Sequence, residues 1–254
     1  MTVQQILKYR VEGGSVDSVV DQIAARLDRG ERKCTWMACL NPHSYAVAKK
    51  DNEFREALSK ADWLVPDGIG VVIASRILNR PLTQRITGFD IFEGVMDQLD
   101  RRGGTVFFLG STEETLRLIS NKLSEDYPGC GLVGTYSPPF KARYNPLDLD
   151  QMVEAVAKVR PDVIWVGLTA PKQEKLIADL QDRLDVVFAG AVGAVFDFYI
   201  GKVIRSPPIF QKMGLEWLPR LLQQPRRLWR RMFVSAPIFI GDVLAVRWRG
   251  TSDD

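Results

Sequence analysis

Histidine is almost missing from this chain: its 254 residues include one, His43. That removes His-rich metal sites and leaves little basis for a Ser-His-Asp triad. Cysteine is scarce as well. Cys34, Cys39 and Cys130 are odd in number and lack metal-ligand spacing, so reduced thiols in a cytosolic setting are expected. No apolar run reaches the roughly 18 to 20 residues of a spanning helix, and the first residues lack the charged start and long apolar core of a signal peptide. A Walker A loop is missing too, because Gly201-Lys202 is followed by Val203. The dinucleotide fingerprint is broken, since Gly68-Ile69-Gly70 would need its third glycine at Ile73. The chain contains no internal repeat and no low-complexity segment.

What is present is enough for a core: 46% of residues are hydrophobic, a content suited to one large domain, or one domain with an appendage. The net charge of +3 is small but unevenly placed, with Arg220, Arg226, Arg227, Arg230, Arg231, Arg247 and Arg249 crowded toward the C-terminus. Helical spacing of Val16, Val19, Val20, Ile23 and Leu27 predicts a helix over 15–29. A strand over Cys34–Leu40 and a helix from about Ser44 to Lys60 follow. Next come a strand over Ala61–Val65, a helix to about Leu78, and a second helix ending near Leu99. Thr105–Leu109 reads as a strand with Ser111 or Thr112 capping the next helix, Leu132–Tyr136 as a strand and Leu147–Val159 as a helix. This alternation predicts an α/β fold, a Rossmann-like, mostly parallel sheet flanked by helices.

The stretch from Asp162 to Pro208 organises the functional reading. Asp162–Gly167 and Val186–Gly190 are short apolar runs that open into polar or Gly-rich turns, as buried parallel strands do. Ligands of open α/β sheets bind outside such carboxyl ends. Lys172, Gln173, Glu174, Asp197 and Arg205 cluster there in sequence. Each has a plain alternative: Pro171 with Glu174 also starts a helix, and Asp197 with Arg205 also makes a structural ion pair. Asp67 in Pro66-Asp67-Gly68 suits an ordinary turn, yet it follows a strand and precedes a helix, where a carboxylate can act as general base. Arg85 is either a surface charge or a fork for a diphosphate. Asp148 and Asp150 have a spacing used for divalent metals, but a predicted helix start favours acidic residues by its dipole alone.

A set of motifs in one order carries a resemblance. Asn41-Pro42, Pro66-Asp67-Gly68-Ile69-Gly70, Arg85-Ile86-Thr87-Gly88-Phe89-Asp90, Phe108-Leu109-Gly110, Pro171-Lys172-Gln173-Glu174, Gly190-Ala191-Val192-Gly193 with Phe196-Asp197, and Arg205-Ser206-Pro207 form its first part. Gly214-Leu215-Glu216-Trp217, Arg220 and Pro225-Arg226-Arg227 complete it. Together they resemble the WecG/TagA/CpsF family, glycosyltransferase family 26, from about Cys34 to Arg231. The resemblance implies inverting transfer from a UDP-sugar to an undecaprenyl-diphosphate-linked sugar at the cytoplasmic face of the membrane, with no required metal or other cofactor. It implies a catalytic carboxylate at Asp67. Arg85 would stabilise the leaving diphosphate together with backbone N–H groups of the Gly190–Gly193 turn, and Gln173 would orient the donor. Asn41, Gly68, Gly110, Lys172, Glu174, Asp197, Arg205, Arg220 and Arg227 join the expected substrate-binding set. Cys39 stands where many members carry a Thr, and a thiol is a poorer hydrogen-bond donor than a hydroxyl.

Two other readings share parts of this pattern. An NAD-dependent nucleotide-sugar dehydrogenase would share the alternating fold, but the broken glycine pattern counts against it. A non-enzymatic membrane adaptor would need only the basic tail and a rigid body. The expected organisation is a catalytic domain over 1–212 and a membrane-associating helical basic appendage over 213–254, where leucines, Trp229 and Met232 recur at helical spacing beside arginines. The run from Met232 to Val246 holds Pro237, Gly241 and Asp242 and is too short to span, so it is expected to lie in the interface. Nucleic acid is not an expected partner, and a homo-oligomer is left open.

Overall fold

A computed structural model describes residues 3–204 and 229–250. Its main sheet is built from β3 (Thr35–Leu40), β4 (Trp63–Pro66), β5 (Thr105–Gly110), β6 (Gly131–Tyr136), β7 (Val163–Gly167) and β8 (Phe188–Ala191). The strands run parallel in the order β4-β3-β8-β7-β5-β6. Side chains alternate between two cores: in β7, Val163 and Trp165 face one and Ile164 and Val166 the other. Both faces are therefore buried over β3, β4, β5, β7 and β8, which is why these strands read as continuous apolar runs, while the edge strand β6 is only partly covered.

The helices divide by face. α1 (Val16–Arg29), α5 (Gly88–Arg102), α6 (Glu113–Asp126) and α9 (Val195–Tyr199) pack on the Trp165 side. The Ile164 side carries α2 (Pro42–Ala48), α3 (Asn52–Lys60), α4 (Ile69–Ile77), α7 (Pro146–Ala157) and α8 (Lys172–Leu180). A π-helical turn, Arg231–Ser235, leads into α10 (Ala236–Gly250) on that same side. Phe239 and Val243 of α10 are buried there, Phe239 edge-on to Tyr45 at 5.1 Å. Asp242 accepts hydrogen bonds from the Tyr45 hydroxyl and Lys49 Nζ, both at 2.7 Å.

One expectation changes, one alternative is resolved and one element is new. The single helix over 44–60 is two, because the Asp51 side chain accepts from Phe54 N at 3.0 Å and caps a new start, and α2 already ends at Ala48. Thr112 rather than Ser111 caps α6, accepting from Thr115 N. A hairpin not anticipated from the sequence, β1 (Val3–Ile6) with β2 (Tyr9–Glu12), adds Ile6, Tyr9 and Val11 to the core.

Candidate functional site

Adjacent strands β3 and β8 send their chains to opposite faces of the sheet, β3 into α2 and β8 into α9. A crevice must open where neighbouring connections diverge, and this is where ligands of such sheets bind. The open cleft found there is lined by the ends of β3, β4 and β8, the starts of α5 and α8, and Arg231 from the π turn.

Asp67 enters the cleft from the end of β4, its N–H donating to Leu40 O at 2.8 Å and tying it to the end of β3. Asn41 is the N-cap of α2: its Oδ1 accepts from His43 N and Ser44 N at 3.0 and 2.9 Å, while Ser44 Oγ accepts from Asn41 N at 2.8 Å. This capping box uses the acceptor end of the amide and turns the donor end outward. Asn41 Nδ2 accordingly donates to Asp67 Oδ2 at 3.3 Å. The next residue, Gly68, has φ of 96° and begins α4, a conformation that L side chains rarely adopt.

Gln173 and Glu174 reach the cleft from the first turn of α8 and are almost wholly buried, at 5% and 2% exposure. Gln173 Nε2 donates to Glu174 Oε1 at 2.9 Å, but Gln173 Oε1 and Glu174 Oε2 have no hydrogen-bond partner. Burial pushes the Glu174 carboxyl up to about 7, only partly offset by the bond from Gln173 and by its own backbone N–H. The Cys39 thiol is raised well above its ordinary value, first by burial and then by Asp67 and Glu174, so it lines the cleft as a neutral thiol. Gly193 closes this side at φ of 51°, where a Cβ would stand 3.1 Å from Gln173 Oε1.

Cys39, Asn41, Asp67, Gln173, Glu174 and Gly193 are thus brought together, with Gly68 beside them. Other expected site residues are placed elsewhere. Lys172 turns away from the cleft, its Nζ donating to Lys141 O and lying 5.4 Å from the rings of Phe140 and Tyr144. Gly190 lies under Trp165, where a Cβ would come within 2.1 Å of the ring, and Gly110 is pressed against the backbone of Gly167. Val192 N–H in the expected diphosphate turn is given to Val166 O at 3.1 Å. Neither Arg85 nor Asp197 lines the cleft, though Ile86 N–H donates to Pro66 O and holds the Arg85 segment next to the end of β4. Arg205, Arg220 and Arg227 lie outside the described residues.

His43 and Arg231 are among the lining residues that were not expected as site residues. His43, whose Nδ1 lies 2.9 Å from Ser235 Oγ, follows the strand-end Asn41-Pro42 pair, which was a usable signal. Arg231 comes from distant sequence, and nothing local marked it among the other arginines. Asp148 and Asp150 lie in α7 and do not line the cleft. Asp148 closes a capping box with Asn145 and pairs with Lys141 at 2.7 Å, and Asp150 pairs with Arg183 at 2.6 Å. Among the described residues, no group of three or more His, Cys, Asp or Glu is arranged to hold a metal ion.

The profile of the Glycosyl transferase WecG/TagA/CpsF family matches residues 4–253. The chain belongs to that family. This WecG/TagA/CpsF glycosyltransferase is 32% identical over 232 residues to a protein of Bacillus spizizenii, covering 90% of this chain and 87% of the relative. It is 31% identical to a Bacillus subtilis protein, over 82% and 78%, and 30% identical to one of Staphylococcus aureus, over 79% and 76%. All three relatives are named N-acetylglucosaminyldiphosphoundecaprenol N-acetyl-beta-D-mannosaminyltransferase. For a glycosyltransferase the cleft has an apt form: a carboxylate held by an amide at a strand end, facing a buried pair of hydrogen-bonding groups.

Proposed function

We propose that this glycosyltransferase moves a sugar from a UDP-sugar to an undecaprenyl-diphosphate-linked sugar in the assembly of a cell-surface polysaccharide, with inversion at the anomeric carbon. The observation that carries the chemistry is Asp67, set at the switch-point crevice and oriented by Asn41. An acceptor hydroxyl attacks the anomeric carbon, Asp67 takes its proton, and the bond to the diphosphate breaks so that UDP leaves with the electron pair. One base suffices for a single displacement. Arg231 in the cleft wall, with Arg85 in the segment tied to the end of β4, supplies positive charge for the diphosphate.

The acceptor's lipid anchor suits the outer face of the C-terminal segment. Phe233, Pro237, Ile240, Leu244 and Trp248 recur at helical spacing away from the buried Phe239 and Val243, and the Trp229 ring packs tilted against Phe233 at 4.2 Å. Trp229 and Trp248 are 58% and 71% exposed, and Arg247 and Arg249 occupy the last turn. No helix among the described residues is long and apolar enough to cross a membrane. An exposed apolar stripe flanked by arginines fits a peripheral seat on the cytoplasmic face of an anionic bilayer. The turn that carries Phe233 also places Arg231 in the cleft, so a seated enzyme would meet its acceptor at the headgroup level.

The test is transfer of labelled sugar from UDP-N-acetylmannosamine and other UDP-sugars to a short-chain polyprenyl-diphosphate N-acetylglucosamine. Product that depends on both substrates is expected; release of free sugar only, or no consumption of any UDP-sugar, would refute the reading. For the membrane seat, Ile240→Glu with Leu244→Glu is expected to abolish co-sedimentation with anionic liposomes while the protein stays folded. Undiminished co-sedimentation would remove this face from the account.

A further inference from the structure

Glu174 is a buried acid at the cleft wall whose hydrogen bonding is incomplete. It is 2% exposed, receives one side-chain hydrogen bond, and leaves Oε2 without a partner at the wall of the cleft. Buried polar atoms are seldom left so, and in a cleft the usual reason is a group that the ligand completes. Neither flanking lysine compensates it. Lys172 is turned to Phe140, Tyr144 and Lys141 O, and Lys175 is held by Asp51 and Glu53 on the α3 side. Across the cleft the Cys39 thiol feels Asp67, Glu174 and Asp90, and Arg231 and His43 stand elsewhere on the wall. A second anion here would oppose both Asp67 and an arriving diphosphate, whereas a neutral acid would oppose neither.

A neutral Glu174 has one O–H to give. With Gln173 Nε2 engaged on Oε1, the proton belongs on Oε2. Beside it, Gln173 Oε1 is a buried acceptor with no donor. The wall therefore offers one donor and one acceptor on neighbouring side chains. An acetamido group carries the complementary carbonyl and N–H on two separate atoms, whereas a hydroxyl carries both functions on one oxygen. We propose that Glu174 and Gln173 together read an acetamido substituent of the transferred sugar, Glu174 Oε2 donating to its carbonyl and Gln173 Oε1 accepting from its N–H. Both are specificity-determining residues, and the assignment rests on the glycosyl-transfer reading.

Equilibrium binding of UDP-N-acetylmannosamine and of UDP-glucose to the full chain, by calorimetry between about pH 6 and pH 8.5, tests it. For the acetamido donor, wild-type affinity is expected to fall by more than tenfold across that range, approaching about tenfold per pH unit once Glu174 ionises. UDP-glucose is expected to bind more weakly at acid pH and to lose far less as pH rises. Glu174→Gln, whose carboxamide can donate but cannot ionise, should flatten the acetamido slope, and Gln173→Ala should erase most of the discrimination between the donors. An infrared band of a protonated acid that is absent in Glu174→Gln and shifts on adding the acetamido donor would support the same assignment without turnover. The proposal is overturned if Glu174→Gln keeps the wild-type slope, if UDP-glucose shows the same slope, or if the wild type shows none. Should Glu174→Gln fail to fold, the wild-type contrast between the two donors decides. Binding of UDP-sugars without these contrasts would sink the inference and leave glycosyl transfer standing; no binding of any UDP-sugar would sink both.

Discussion

Asp148 and Glu174 occupy the same place in two helices, the third residue of the first turn, and both are almost buried. Their chemistry is opposite. Lys141 Nζ holds Asp148 at 2.7 and 2.9 Å and Asn145 N–H adds a third bond, so that carboxyl lies below its ordinary range, with the Lys141 bond as the largest cause. Glu174 has no such cation, and burial pushes it up. One loop makes the difference. It sends Lys141 to Asp148 and takes Lys172, the cation next to Glu174, onto its own carbonyl and rings. The lesson is that an acid in a first turn is set by what neighbouring segments bring to it, and a carboxyl left unpaired at a cleft is available for a ligand.

The largest expected effect separates the cleft acids from the α7 acids altogether. Asp67→Asn should keep the fold and lower turnover by about 10²-fold or more, the scale of a general base. Asp148→Ala should leave turnover within about twofold, since Asp148 lies outside the cleft. Transfer that stops with EDTA and returns with Mg²⁺ would return the α7 pair to the mechanism. Initial rates on purified full-length variants check all three statements.

Next in size is the stability of the Glu174 site. Its carboxyl titrates at about 7 in the fold against an ordinary 4.5, so the proton binds more tightly to the folded chain, and the contribution from that proton is full below about 4.5 and lost as pH rises through 7. The difference corresponds to roughly 3 kcal/mol by pH 8. Glu174→Gln, which cannot ionise, is therefore expected to be more stable than wild type by up to about that amount at pH 8 and to match it near pH 4. Urea titrations at the two pH values measure this; equal stabilities at pH 8 would show that Glu174 is not destabilised by ionisation.

The parallel sheet was legible because strands buried on both faces must be continuously apolar, and the turns after β3, β4 and β7 carried polar residues that now share the cleft. Asp67, Gln173 and Glu174 could be named from strand-end position, and Asn41 from the family resemblance. Their meeting could not, since it depends on β8 inserting between β3 and β7. Lys172 was misplaced for a related reason: a first-turn lysine has enough reach for either side of its helix, and the rings of Phe140 and Tyr144, from distant sequence, decide the direction. The N-terminal hairpin escaped because strands of four residues carry too short an alternation to detect. Arg231 escaped because its neighbours are all arginine-rich, and only the packing of α10 on α2 and α4 brings that turn to the cleft.

Smaller effects divide the α7 acids themselves. Removing Asp148 takes away a capping-box partner and exposes Lys141 to the loss of its pair, so Asp148→Ala should lower the melting temperature by a few degrees at neutral pH. Because its carboxyl is held low in the fold, that penalty is present above the ordinary carboxylate range and should shrink as pH falls below it. Asp150 has an equally short bond to Arg183, 2.6 Å, but both side chains are largely in water, at 60% and 44% exposure. There the Coulomb gain is screened and two long side chains must be ordered, and exposed pairs measure about 0.2 to 1 kcal/mol. A double-mutant cycle of Asp150→Ala and Arg183→Ala should therefore give a coupling at the bottom of that range that fades in about 1 M salt. A coupling as large as the one between Asp148 and Lys141 would mean that bond length, rather than burial and the cap, governs these carboxylates, and the contrast with Glu174 would need a different cause.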